Sequence, residues 1–212
     1  MEISWYGLSC FRLSERQHAT VLTDPYDGAK VGLPALKAKA DVVTISHAAA
    51  GHSYTQGISG FEHALDGPGE YEIGNVFITG IATPSENGMA PNVIYLFDFQ
   101  GFKVAHLGDM ISVPSQAQIE DLEMVNVLLV PVGGGNSLNA AKAAEIVSMI
   151  EPEIVIPMHY QRPGLKLELE PVERFLAEMG VTDVQEESSL RISAGSAPEE
   201  TQVVLLTPRG ES

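Results

Sequence analysis

Two histidines, His47 and His52, stand five positions apart in "VVTISHAAAGHS", just past an apolar segment, with three alanines and a glycine between them. Asp109 follows the apolar "FKVAHLG", and His159 follows "IVIPM". His47, Asp109 and His159 therefore each fall just beyond the end of an expected strand, and His52 lies within loop reach of His47. In layered α/β proteins, the carboxyl ends of strands are where ligands gather. Imidazole nitrogens and a carboxylate suit zinc, manganese or iron, and two histidines with one carboxylate hold a metal while leaving positions open for water. Taken singly, a strand-end histidine is a capped or solvated loop residue, and an Asp after Gly is a turn former. Three of them at the same kind of address, with His52 in reach, point to a metal site.

The elements that must position these groups are legible in outline. "EISWYG", "CFRLSE" and "ATVLTDP" alternate or run apolar between turn residues, and "DVVTIS", Asp41 to Ser46, is the next strand. A β-meander follows: "GEYEIG", "NVFITGIAT", "NVIYLFDF" and "FKVAHLGD", joined by Gly-Asn, by a loop around Pro84 to Pro91, and by Gln100-Gly101. A βα alternation then begins. "PSQAQIEDLEM" has helical spacing with Pro114 at its start, and "VNVLLVPV" is a buried strand. "SLNAAKAAEIVSMI" is a helix capped by Asn136 or Ser137, and "EIVIPMHY" a strand. "EPVERFLAEMG" is a helix opened by Pro171 and closed by Gly180, and "TQVVLLTP" is a last strand. The mixture predicts two sheets, antiparallel in part, with helices packed outside.

Charge narrows the partners. A formal net charge of −16 with only 12 Lys and Arg argues against nucleic acid, whose affinity comes from cations neutralising phosphates, and against anionic membranes. No stretch reaches the ~18 apolar residues of a membrane span, and the N-terminus lacks the pattern of a signal peptide, so a cytoplasmic protein is expected. The single Cys10 excludes an internal disulfide framework and reads as a small core residue. Gly133-Gly134-Gly135 reads as a tight strand-to-helix turn or as backbone offered to an anion. His18, His63 and His106 show no partner in the sequence and read as structural or surface residues.

The chain resembles the metallo-β-lactamase superfamily, in particular the branch of small bacterial zinc-dependent hydrolases that includes ascorbate-phosphate lactonase-like proteins. "WYGLSCFRL", "TDPYDG", "SHAAAGHS", "GPGEYEIGNVFITGI", "HLGDM", "LLVPVGGGNSLNAAKAAEIV" and "IVIPMHY" carry the resemblance nearly end to end, in the family's order. It implies an α/β fold, a four-layer αββα sandwich, as one domain over 1–212, with a metal site at the common edge of the sheets. It also implies a His-x-His-x-Asp-His loop. His47 and His52 match that pattern, whereas Ala49 replaces a histidine and Gly51 the aspartate. Leu8 replaces a histidine of the first turn, and Ser85 or a neighbour in "PSENG" stands where another is expected. Asp109 matches the bridging aspartate and His159 the last histidine. Asp24 would orient the metal loop by hydrogen bonds, or form an Asx turn before Pro25. Glu86 would lend a carboxylate from the altered loop, or belong to an exposed turn.

The resemblance thus predicts an eroded dinuclear site. His47, His52, Asp109 and His159 are the expected ligands, for one divalent ion (zinc, manganese or iron) or for none. No catalytic side chain is assigned beyond a metal-bound water in an active protein. Two functions stay open: a hydrolase-like protein that is non-catalytic or weakly active, and a one-metal hydrolase of a small phosphate ester, lactone or amide. The partners expected are a small molecule and a second copy of the chain, not nucleic acid or membrane.

Overall fold

Alternating apolar residues at the N-terminus form β1 (Glu2–Gly7) and β2 (Cys10–Ser14), an antiparallel pair that sets Trp5 opposite Phe11. This computed structural model describes residues 1–83, 91–122, 124–193, 198 and 200–209. The chain continues through β3 (Val21–Thr23), α1 (Gly28–Val31), β4 (Ala38–Lys39), β5 (Val42–Thr44), β6 (Ile58–Ser59) and β7 (His63–Leu65). The meander is β8 (Gly69–Ile73), β9 (Val76–Thr83), β10 (Asn92–Phe99) and β11 (Phe102–His106). Its two tight turns, Gly74-Asn75 and Gln100-Gly101, have φ of 52°, 64°, 56° and 95°. Two positive φ values in a row are the type I′ geometry, whose twist matches that of the strands.

The βα part comprises α2 (Gln116–Asp121), β12 (Val127–Pro131), α3 (Ala140–Ile150), β13 (Ile154–Met158) and α4 (Glu173–Glu178). Four short strands complete it: β14 (Glu186–Glu187), β15 (Leu190–Arg191), β16 (Gln202–Val203) and β17 (Leu205–Leu206). Several sequence expectations shift here. Pro114 precedes α2 rather than opening it, because Ser115 and Gln118 form a capping box one residue later. Asn139, not Asn136 or Ser137, caps α3: Gly134 and Gly135, at φ of 63° and 67°, prolong the turn before the helix. The segment "TQVVLLTP" is two strands in two sheets, β16 beside β13 and β17 beside β14.

One large sheet runs β15–β1–β2–β3–β5–β7, and the other β16–β13–β12–β11–β10–β9–β8. A common core joins them, in which Ile3, Trp5, Phe11, Leu13, Val21 and Val42 meet Ile78, Tyr95, Phe97 and Leu128. Alternate residues of the first sheet, Cys10, Leu22 and Val43, face a second cluster with Tyr26, Val31 and Leu36. Both faces of β3 and β5 are thereby buried, so "VLT" and "VVT" read as unbroken apolar runs. Each fully buried Leu or Val contributes about 1.5–3 kcal/mol. On the other side, α3 buries Ala140, Ala143, Ile146 and Val147 and packs against β12 and α4. The result is the mixed α/β arrangement of two sheets with helices outside.

Strand direction decides where the chemistry gathers. β3 and β5 are parallel in the first sheet, and β11, β12 and β13 are parallel in the second. Their carboxyl ends deliver Asp24, His47, Asp109 and His159 to one edge of the sandwich. No helix among the described residues is long and apolar enough to cross a membrane.

Candidate metal centre

Asp24 follows β3 at φ 40°, a left-handed conformation that costs a non-glycine residue about 1–3 kcal/mol. Its carboxylate is fully buried and takes three hydrogen bonds. The Ser46 amide donates to Oδ1 at 2.7 Å, and the Ser46 hydroxyl and His52 Nδ1 donate to Oδ2 at 2.6 and 2.7 Å. With Nδ1 carrying the proton, His52 keeps its Nε2 lone pair free, and this atom lies 3.8 Å from Asp109 Oδ2. A carboxylate fixing the tautomer of a histidine in this way is what orients metal-ligating imidazoles. The supporting position expected for Asp24 is therefore occupied by a group that can fill it.

Asp109 is the hub. Its Oδ2 lies 3.7 Å from His47 Nε2, and its Oδ1 lies 2.8 Å from His159 Nδ1. The ring of His52 is 4.2 Å from that of His47 and 5.3 Å from that of His159, centre to centre. His159 is held at φ 53°, and its amide donates to the Leu8 carbonyl at 3.2 Å. The same carbonyl accepts the Trp5 indole N–H at 2.9 Å, so the first turn carries part of the site although Leu8 itself brings no ligand atom.

Electrostatics bind the group together. Burial pushes the Asp109 carboxyl up, but the three imidazoles, His159 foremost, outweigh it and hold the group well below the usual carboxylate range. Burial lowers His52, yet Asp24 and Asp109 reverse this and raise it above its ordinary value. His47 is lowered by burial and by the charge of His52. Burial likewise opposes ionisation of Asp24, and His52, His106 and Ser46 overcome it to keep the carboxyl low.

The donor set fits a divalent cation. Two ligands each about 2 Å from one zinc ion lie at most about 4 Å apart, and the three contacts of Asp109 all meet that bound. His47, His52 and Asp109 each offer one ligand atom within 4.8 Å of the others. Asp109 Oδ1 and His159 Nδ1 are buried and close without the alignment of a hydrogen bond. Orphaned lone pairs converging on one point are what a cation satisfies. They face a cavity of about 650 Å³, walled by Ala48, Ala49, Ala50 and Gly51 on one side and by Val31, Leu167 and Leu169 on another.

All four expected ligands and Asp24 are thus brought together. Ser85 and Glu86 lie outside the described residues. His106, taken from the sequence as structural or surface, is structural: it is fully buried and doubly bonded, Nε2 donating to the Ser9 carbonyl at 2.8 Å and Nδ1 accepting the Gly108 amide at 3.2 Å. Sequence reasoning also passed over Ser46 and Asn92. Ser46 lies inside "TISH", one residue before His47, whereas nothing in the spacing of Asn92 marks it.

The Beta-lactamase superfamily domain profile matches residues 2–159. The chain belongs to this superfamily. Within it, a UPF0173 metal-dependent hydrolase of Thermoplasma acidophilum is 30% identical over 209 residues, covering 85% of this chain and 91% of the relative. A UPF0173 protein of Pyrococcus furiosus is 28% identical over 200 residues, covering 82% and 88%. The crystal structure of a metallo-β-lactamase superfamily protein from Thermotoga maritima superposes with a TM-score of 0.80 at 33% identity, covering 97% of each chain. The two sheets and their outer helices are the metallo-β-lactamase fold, and the edge bearing Asp109 belongs to a family whose members are named as metal-dependent hydrolases.

Proposed function

We propose that this chain is a hydrolase working with one divalent metal, held by His52, Asp109 and His159 with His47 beside them, on a small phosphate ester, lactone or amide. One observation carries the reading: a single carboxylate within 3.8 Å of three imidazoles, one of which has its tautomer fixed by a buried aspartate. A bound divalent ion supplies Lewis acidity, acidifying a water and polarising a carbonyl or phosphoryl group. The protein's own part is to aim the ligands, through Asp24 and the Leu8 carbonyl, and to shape the cavity. A volume of about 650 Å³ suits a small molecule, and a net charge of −16 disfavours polyanions. Zinc, manganese and iron all suit the donors.

A second reading, a non-catalytic or weakly active descendant, is favoured by Ala49 and Gly51, which line the cavity without offering a ligand atom. Elemental mass spectrometry of protein purified without chelator, and again after loading with zinc or manganese and desalting, separates the two. The one-metal reading expects about one ion per chain, lost in His159→Ala, and metal-dependent turnover of phosphate esters or lactones. Protein that retains no metal after loading supports the second reading.

A further inference from the structure

Asp109 has no backbone or hydroxyl donor on its carboxylate among the described residues; its only close polar neighbours are imidazoles. Its direction must therefore be set by the main chain beneath it, the turn Leu107–Gly108–Asp109. Asn92, the first residue of β10 and only 6% exposed, grips that turn from both sides. Its Nδ2 donates to the Leu107 carbonyl at 3.0 Å, and its Oδ1 accepts the Asp109 amide at 2.9 Å. A primary amide offers one donor and one acceptor from the same short side chain, which is what bridging residues 107 and 109 requires.

The turn is shaped to admit it. Gly108 has φ +66°, and a Cβ there would lie 2.2 Å from Asn92 Oδ1 and 2.5 Å from Ser46 Cβ, so the backbone can close on the amide only as glycine. The grip is also tied to the histidine side of the site. The amide of Val93, next along β10, donates to the Ser46 carbonyl at 2.9 Å, and Ser46 donates twice to Asp24.

We infer that Asn92 is the positioning residue that aims the Asp109 carboxylate at the space shared with His52 and His159, and so sets the affinity and geometry of the metal bound there. The inference rests on the one-metal reading above. It differs from a merely structural role in what it moves. A buried asparagine that only anchored β10 would change stability and leave a bound ion's surroundings alone.

The test is made on the full chain, with zinc affinity read by competition against a chromophoric chelator and geometry read from the visible absorption of the cobalt(II) form. Asn92→Ala removes both hydrogen bonds and is expected to weaken zinc by roughly 10–100-fold, the range seen when an orienting partner of a ligand is lost, and to alter the cobalt spectrum. Asn92→Asp keeps the acceptor for the Asp109 amide but not the donor to Leu107; it serves if the alanine variant does not fold, and its cobalt spectrum should also change. Thr83→Val is the control: the Thr83 hydroxyl donates to the Asn92 carbonyl at 3.0 Å, so the variant loses a buried hydrogen bond to the same residue without freeing the amide. It should bind zinc as the parent does. Parental affinity and spectrum in the Asn92 variants, or an equal loss in Thr83→Val, overturns the assignment while leaving the one-metal reading intact. A parent that binds neither zinc nor cobalt overturns both.

Discussion

On one side of the cavity, Asp24 and the Leu8 carbonyl hold His52 and His159 through buried hydrogen bonds; on the other, Ala48, Ala49, Ala50 and Gly51 present methyl groups and bare backbone. Yet the second side is no less ordered. The Ala49 amide donates to the His47 carbonyl, the His52 and Ser53 amides donate to the Ala49 carbonyl, and the Asp27 amide donates to the Ala50 carbonyl, all within 2.8–3.0 Å. The loop is folded by its main chain, so ligand side chains can leave it at little cost. Asp24 and His52 are different: each satisfies a buried polar group of the other, and neither can be lost without orphaning its partner. Retention of His52 is therefore weak evidence for function by itself. The stronger evidence is what structure alone does not require, a free Nε2 on His52 and an orphaned oxygen on Asp109.

Removing the hub should have the largest effect. Asp109→Asn keeps the shape but replaces one oxygen by a donor that repels a cation, and metal affinity should fall beyond the ~100-fold upper end of supporting-residue losses. Dialysis followed by elemental analysis checks this; a variant that keeps a full equivalent of zinc would remove Asp109 from the ligand set.

Asp24→Asn comes next and acts through a proton. The new amide donor would face both the Ser46 hydroxyl and the protonated His52 Nδ1, which today donate to that position. The least costly answer is for His52 to move its proton to Nε2, which closes the lone pair proposed to hold a metal. Affinity should drop by roughly 10–100-fold, and weakening the hydrogen bonds to a buried charge should cost about 1.5–3 kcal/mol in urea unfolding. The imidazole proton shifts of His52 in NMR would report the tautomer; an unchanged tautomer refutes the account.

The same variant sharpens the pH dependence of the metal-free protein. His47 and His106 have lowered values in the fold, so the unfolded chain binds their protons first and stability declines as pH falls through about 6.5. Asp24 and Asp109 are also lowered, and their contribution is lost as pH falls below about 3.9. His52 is raised, so its contribution is fully present below about 6.5 and lost as pH rises through its higher folded value. Without the Asp24 charge that opposing contribution shrinks. Thermal midpoints of Asp24→Asn should therefore rise less than the parent's as pH falls toward about 6.5 from above.

Much of this site could be read in the sequence because strand ends announce themselves. "VVTIS", "FKVAHLG" and "IVIPM" are continuous apolar runs, and a polar residue just past such a run sits at the edge of a sheet whatever the rest of the fold. The meander was equally legible, since period-two alternation and two short turns fix its pairing. The two-residue strands were not, because two residues carry no period; "TQVVLLTP" divides at Val204 between β13 and β14, a choice made by tertiary pairing. Asn92, and the partners of His106, were missed for a related reason. Each bonds main chain brought near only by the fold, Asn92 across 15 and 17 positions and His106 Nε2 across 97, and such contacts leave no spacing to detect.

The smallest expected effect on stability is the one that best tests the contrast between the two sides. Gly51 is buried but has no positive φ, and a Cβ added there would meet only Leu8 Cδ1, at 3.6 Å, an ordinary contact. Gly51→Ala, which adds only that Cβ, should thus change the free energy of urea unfolding by no more than about 0.5 kcal/mol, the range of substitutions that disturb no buried feature. If the bare side is only a fixed backbone stripped of ligands, Ala49→His and Gly51→Asp together should raise the zinc content above the parent's, and Leu8→His, next to position 51, should raise it further. If the double variant instead unfolds, the loop has adapted its main chain to small residues, and the two sides differ in structure as well as in ligands.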